Sequence, residues 1–326
     1  MNEKVRLAVL DVGQGDTLVV SHPESGEAVV IDCISAPAVF DYFKSQEIRR
    51  VRALIITHLH SDHYRQARAF LTNCRRELGY VCEKVILNPI PETEESLPPP
   101  DEDGTVAGRA YEAFAQWMLE NAEIVDSPHP SPRLPIDGPL AGQIDFVYPY
   151  PAELPYARAA GYNNSSLVLR VRGLRAAGLL PGDLEPTGWA LLRRRPAARA
   201  AVRAQVMKWP HHGAWKPSAS EASAAEFLKD VGAELVAISV GTRQRGYAHP
   251  DPDVFAALRA FGVKILCTQA TQRCGVVTSA TVSAAPCAGT VIVDLDDVPR
   301  LLQPDLEIHW RDVVQRCFAP SHQCLR

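Results

Sequence analysis

The stretch ALIITHLHSDH, residues 53–63, sets the reading of everything around it. Ala53 to Thr57 is a short apolar run of the kind that forms a strand buried on both faces of a sheet. His58, His60, Asp62 and His63 follow it at once. Three imidazoles and a carboxylate beside a core are expensive to desolvate unless a cation compensates them. Alternation in an extended or turn segment puts His58 and His60 on one side, while Asp62 and His63 at the start of a following helix reach a second centre about 3.5–4 Å away. The spacing fits a two-metal arrangement better than a surface histidine turn.

Two more polar points close apolar runs further along. In Leu179-Leu180-Pro181-Gly182-Asp183 the glycine lets the backbone bend, and a carboxylate with two oxygens can bridge two cations. Alone, Gly182-Asp183 is an ordinary turn. In Trp209-Pro210-His211-His212-Gly213 at least one imidazole can complete a tetrahedral or five-coordinate site, and the sequence does not choose between His211 and His212.

The surrounding pattern is α/β. Val5 to Val9, Leu18 to Val20 and Ala28 to Ile31 read as an antiparallel opening around the Asp11-Val-Gly-Gln-Gly-Asp16 turn. A helical pattern begins at Pro37, and Val106 to Asn121 looks helical. Strand-like runs at 144–147, 167–171, 206–209, 235–239, 263–266 and 290–293 alternate with helical patterns at 185–195, 218–231 and 252–261. Residues 88–104 are rich in proline and acid and read as a loop or flap, and Pro128 to Pro139 as a second connection. We expect one domain over 1–300 and a C-terminal extension over 301–326.

Of 326 residues, 46% are hydrophobic and 22% charged, enough for a sizeable core and too apolar for general disorder. A net charge of −4 gives no bulk attraction to nucleic acid or anionic lipid, so any phosphate must be bound locally. Neither an 18-residue apolar run nor a signal-peptide pattern occurs, so the expectation is a soluble cytoplasmic protein with no membrane partner. Eight cysteines without a CxxC pair read as free thiols of a reducing compartment. Arg195, Arg199 and Arg203 recur every four residues, as a basic stripe for a nucleic-acid backbone or as a solvated face broken by Pro196. Trp209 and Trp215 bracket the histidine pair and either stack a base or pack the interior.

HLHSDH, preceded by Asp32 in AVVIDC and followed by Asp183 and His211-His212, resembles the metallo-β-lactamase fold, a four-layer αββα hydrolase architecture with a dinuclear metal site. DVGQGD (11–16), NNSSLVLRV (163–171), LLPGDLE (179–185), KWPHHGAWKPS (208–218) and ISVGTRQRGYAHPDPDVFAALRAFG (238–262) are similar to the soluble hydrolase domain of ComEC-type DNA-uptake proteins. The resemblance implies metal ligands at His58, His60, Asp62, His63, Asp183 and one of His211 or His212. It implies that Asp32 orients a ligand imidazole and that Asp16 and Asp11 brace the loop beneath. Many relatives have a further histidine between HxHxDH and the Gly-Asp; here only His129 lies there, in a proline-rich loop, and the Asn163-Asn164 pair offers a carbonyl oxygen, holds a water or forms a turn. ComEC-type domains often carry Asp where this chain has His60, and the extra nitrogen favours zinc without excluding manganese.

Two divalent cations lower the pKa of a water from about 15.7 toward ~7 and stabilise an in-line displacement at phosphorus, so no serine or cysteine nucleophile is required. Asp62 and His249 are then the groups nearest the chemistry. His249 matches a Tyr-Gly-His-Pro segment and donates a proton or hydrogen bond to the phosphate, or only closes a loop. Tyr247 and Lys216 fall on the substrate side, while Lys208 meets a phosphate or is solvated. The expected activity is a metal-dependent phosphodiesterase or nuclease on DNA, RNA or a nucleotide; the alternatives are an ester, thioester or lactone hydrolase and a catalytically inactive binding module.

Overall fold

A computed structural model describes residues 4–88, 106–126, 133–242, 248–271, 287–296 and 298–309. The first half runs β1 (Arg6–Val9), β2 (Leu18–His22), β3 (Glu27–Ile31), α1 (Ala36–Ser45), β4 (Arg50–Ile56), α2 (Ser61–Tyr64), α3 (Ala67–Leu78), β5 (Val85–Leu87), α4 (Val106–Glu120) and β6 (Val125–Asp126). It continues with β7 (Ile144–Tyr148), α5 (Leu154–Ala159), β8 (Val168–Arg172), β9 (Ala177–Leu180), α6 (Pro186–Arg193), α7 (Pro196–Ala201) and β10 (Val206–Lys208). The remainder is α8 (Ala224–Val231), β11 (Leu235–Ile238), α9 (Pro252–Ala260), β12 (Lys264–Cys267), β13 (Val291–Asp294), β14 (Arg300–Gln303) and α10 (Leu306–His309).

These strands make two sheets, ordered β14-β13-β1-β2-β3-β4-β5-β6 and β12-β11-β10-β9-β8-β7. The first is antiparallel through β3 and parallel from β3 to β6; the second is parallel from β12 to β9 and antiparallel across β9, β8 and β7. Side-chain alternation explains the layering. Val29 and Ile31 of β3 and Ala53 and Ile55 of β4 face inward with Leu169, Leu180 and Ala237 of the other sheet, while Ala28, Val30, Leu54 and Ile56 face α1 and α3. A third cluster puts β9, β10 and β11 against α6, α8 and α9. The result is helix, sheet, sheet, helix, the four-layer α/β arrangement expected.

Two helix boundaries differ from the sequence reading. The helical pattern at 218–231 begins only at Ala224, because Ser223 caps it: its hydroxyl accepts from Glu226 N–H and its own N–H donates to Glu226 Oε2 at 2.8 Å. The pattern at 185–195 stops at Arg193, and Pro196 starts a separate helix. That break dissolves the arginine stripe: Arg195 pairs with Glu153, Arg199 with Asp230, and Arg203 donates to the Lys229 carbonyl. The 88–104 loop lies almost wholly outside the described residues, and β14 spans the boundary expected at residue 300. Cys33, Cys74 and Cys82 are free thiols. Among the described residues no helix is long and apolar enough to cross a membrane.

Trp189, Trp209, Trp215 and Phe227 anchor the second half, with Trp189 edge-on to Phe227 at 4.7 Å and Trp215 stacked on it at 4.5 Å. Trp209 and Trp215 are therefore packing residues here, buried beneath the site. Truncating Trp189 to Ala should cost about 3–5 kcal/mol in chemical denaturation; a loss below about 1 kcal/mol would show that the aromatic cluster does not carry this half of the fold.

Candidate metal centre

The carboxyl ends of β3, β4, β9, β10 and β11 lie along one edge of the sandwich, and the polar residues sit in the loops leaving them. Strand β4 delivers Thr57 and His58; α2 delivers Asp62 and His63. Beyond β9, Gly182 at φ 56° turns the chain into Asp183, and a Cβ there would lie 2.9 Å from the Ser166 side chain. After β10, His211 and His212 both adopt left-handed backbone, at φ 47° and 51°, as does Asp32 at φ 57°. Such conformations are costly for residues with a Cβ and persist where the surroundings over-determine them.

Two imidazoles are oriented by their outer nitrogens. His63 Nδ1–H donates to Asp32 Oδ2 at 2.7 Å, and Asp32 is itself fixed by Thr57 N–H and the Thr57 hydroxyl, both at 2.7 Å. His212 Nδ1–H donates to the Ser239 carbonyl at 3.0 Å. Both Nε2 atoms consequently point inward at the same oxygen: Asp183 Oδ2 is 3.2 Å from His63 Nε2 and 3.3 Å from His212 Nε2, and Asp62 Oδ2 is 3.2 Å from His212 Nε2. One donor atom from each of Asp62, His63, Asp183 and His212 falls within 4.8 Å of the others. Beside them His58 places Nδ1 3.2 Å from the Thr57 and Ser166 hydroxyls, and its buried Nε2 has no hydrogen-bond partner among the described residues. Its ring lies 4.2 Å from His63 and 4.7 Å from the half-buried His60.

The profile of the Metallo-beta-lactamase superfamily matches residues 10–188, more than half of the chain. The chain belongs to that superfamily. ComE operon protein 3 of Bacillus subtilis (strain 168) is 24% identical over 285 residues, covering 80% of this chain and 31% of that protein, so the chain spans under a third of the relative's length. Among solved structures, Igni18, a novel metallo hydrolase from the hyperthermophilic archaeon Ignicoccus hospitalis KIN4/I, is 14% identical with a TM-score of 0.41, covering 80% of this chain and 94% of that one. Zn(2+)-bound PqqB from Methylobacterium extorquens is 10% identical with a TM-score of 0.41, covering 79% and 96%.

Metallo-beta-lactamase superfamily membership implies divalent metal ions, and the donor set fits them. Two carboxylates and two imidazoles whose Nδ1 atoms are committed outward converge as a donor set of the kind that binds a divalent cation. Burial alone pushes the Asp62 and Asp183 carboxyls up and the His63 and His212 imidazoles down, but their mutual attraction wins. Both carboxyls are held below their usual range, His63 is raised well above it, and His212 is raised to about 10. His58 goes the other way: burial and the neighbouring His63 and His60 push its imidazole well below the ordinary value, so it keeps a neutral ring with a free lone pair.

The remaining sequence candidates separate. His211 turns away from the four-donor set, with Nδ1 3.3 Å from Glu185 Oε1 and Nε2 3.5 Å from Asn163 Nδ2. Asn164 is buried and structural: it donates to the Ala160 carbonyl and accepts from Gly188 N–H in the first turn of α6. Asn163 lines the opening and donates to Glu185 Oε1 at 3.0 Å. His249 is buried with its ring 5.7 Å from His211, and burial together with His211 pushes its imidazole down to about 4. Lys216 is exposed at the rim, and Tyr247 and His129 lie outside the described residues. Asp11 accepts from Gln269 Nε2 and Gly13 N–H, bracing its loop. Lys208 is neither solvated nor at the surface. Its side chain is fully buried and its ammonium contacts Asp16 Oδ2, the Gly182 carbonyl at 3.0 Å and Asp183 Oδ1 at 3.3 Å. Sequence reasoning also passed over Glu185, which links Asn163, Asn164 and His211; its one signal is its place two residues after Asp183.

The raised imidazoles give a signed pH dependence. In the metal-free protein their pairing contributes stability that is complete below about pH 6.5 and is lost as pH rises, through about 10 for His212. Metal uptake needs those protons removed, so zinc affinity should climb with pH over the same window. Calorimetry in buffers of different ionisation enthalpy should detect release of about two protons per zinc at pH 7; zero release would mean that zinc does not bind between His63 and His212.

Proposed function

We propose that this chain is a metal-dependent hydrolase of phosphodiester bonds in DNA, RNA or a nucleotide. The observation that carries the hydrolase reading is the convergence of His63 Nε2, His212 Nε2 and the carboxylates of Asp62 and Asp183 at a strand edge with access from the rim. Asp62, His63, Asp183 and His212 would hold one metal ion, and His58 and His60, whose rings lie beside them, would offer nitrogens to a second. His211 belongs to the substrate-facing wall. Zinc suits the nitrogen-rich set, and manganese is the second choice. The substrate class rests on the ComEC-type motif blocks of the sequence and on the relative named ComE operon protein 3, of which this chain spans a part.

A bound divalent cation supplies hydroxide at neutral pH and neutralises charge that develops on phosphoryl oxygens. The chain's own residues do the positioning. Asp32 and Ser239 hold the His63 and His212 rings, so the inner donors do not rotate when substrate arrives. His249, neutral above about pH 4, donates an N–H hydrogen bond to the phosphate rather than a proton. Lys216 and Asn163 line the approach, the first adding charge and the second an amide.

Purified protein reconstituted with zinc or manganese should cleave at least one of single-stranded DNA, double-stranded DNA, RNA or a cyclic nucleotide, and leave carboxyl esters and lactones untouched. Asp183→Ala should reduce that cleavage ~100-fold or more with the fold retained by circular dichroism. His249→Ala should lower kcat with metal content unchanged. Ester turnover without phosphodiester turnover would move the chain to the other hydrolase class, and an Asp183→Ala variant as active as the parent would remove the centre from the chemistry.

A further inference from the structure

The centre sits on a lysine that no metal chemistry requires. Lys208 leaves the end of β10 between Met207 and Trp209, with no exposed side-chain surface, and its ammonium meets Asp16, Asp183 Oδ1 and the Gly182 carbonyl. Asp16 is fully buried. The Nδ1 atoms of His212 at 3.5 Å and His63 at 3.9 Å lie further from it, and their N–H bonds are directed to the Ser239 carbonyl and to Asp32. Among the described residues the Lys208 ammonium therefore makes the shortest ionic contact with buried Asp16. It also divides Asp183: Oδ1 faces Lys208, while Oδ2 faces His63 and His212.

We propose that the Lys208 ammonium is a resident counter-ion of the metal centre, which keeps the carboxylate pocket folded without metal and offers an incoming cation only one oxygen of Asp183. The inference rests on the metal-site reading above and deepens it. Near the pocket lie the carboxylates of Asp16, Asp32, Asp62 and Asp183, and a cation held by Asp183 Oδ2 would lie across that carboxylate from the Lys208 ammonium on Oδ1. Lys208 therefore favours the metal-free state and repels the metal, trading affinity for a protein that does not collapse between metal-loading events. Linkage makes the two effects one quantity: whatever Lys208 adds to metal-free stability beyond what it adds to the loaded protein is subtracted from metal affinity.

The test compares the full chain with Lys208→Met, each stripped of metal by a chelator and then titrated with zinc alone. The metal-free melting temperature of the variant should fall by about 10 °C, because the buried Asp16 and Asp183 side chains lose the ammonium that contacts both. The zinc-loaded protein should lose less than half of that, and zinc affinity should tighten at least about tenfold. Asp16→Asn with Lys208→Met should recover most of the metal-free loss, since an amide needs no counter-ion. If Lys208→Met folds only with zinc present, that also supports the proposal. Equal losses with and without zinc, an unchanged or weaker zinc affinity, or a double variant as unstable as the single would overturn it. Failure of the parent chain to bind zinc or manganese at all would instead defeat the metal-site reading, and this proposal with it.

Discussion

Four aspartates held out of bulk water within one loop cluster are the constraint around which this molecule is arranged. Asp16, Asp32 and Asp183 are essentially unexposed, and Asp62 is only partly exposed. A buried carboxylate survives by pairing, by hydrogen bonding or by giving up its charge. The four follow three routes. Asp32 takes three hydrogen bonds from Thr57 and His63, Asp16 takes the Lys208 ammonium, and Asp62 and Asp183 face imidazole nitrogens whose outer edges are already committed. The last pair is where a divalent cation would bind.

The sandwich makes such a concentration of charge tolerable because it fixes the loops from several directions. Strand alternation commits every second residue of β3 and β4 to the inter-sheet core and the rest to α1 and α3, so the ends of these strands have little freedom. The loops are then tied to one another. Asp16 N–H donates to the Asp62 carbonyl at 3.0 Å, Cys33 N–H to the His63 carbonyl at 2.6 Å, and the Ser239 hydroxyl to the Gly15 carbonyl at 2.7 Å. Gly15 has φ 122°, and a Cβ on it would come within 2.5 Å of the Asp62 carbonyl oxygen. The DVGQGD turn therefore supports the loop that carries Asp62 and His63 by close backbone contact and hydrogen bonding.

Much of this was legible in the sequence for a plain reason: polar residues directly after buried strands have few alternatives to a site. HLHSDH, Gly182-Asp183 and the His-His turn all announced themselves that way. The choice between His211 and His212 did not, because it depends on consecutive left-handed residues that aim neighbouring rings in opposite directions. Helix α3 escaped notice although Ala67, Phe70, Leu71 and Cys74 form its buried stripe, since Gln66 provides no side-chain cap and no proline marks the start. Strands β5 and β6 are three and two residues long and leave no readable period. Asn164 looked equal to Asn163 by chemistry, yet one caps α6 and the other lines the opening, a distinction made by tertiary packing alone.

The partition between inner and outer residues bears on how specificity is set. Asp16, Asp32, Lys208, Thr57 and Ser239 are buried and interlocked, so a change at any of them disturbs several hydrogen bonds at once. Asn163, Glu185 and His211 are half-buried, and they contact one another outside the four-donor set. Electrostatic preorganisation needs the inner group to be rigid, whereas discrimination between substrates needs only that the wall present a different pattern of donors and charge. Glu185 is the hinge between the two, since its carboxylate gathers Asn163, Asn164 and His211 while the chain just before it carries Asp183. A wall built in this way can be altered residue by residue without rebuilding the centre it surrounds.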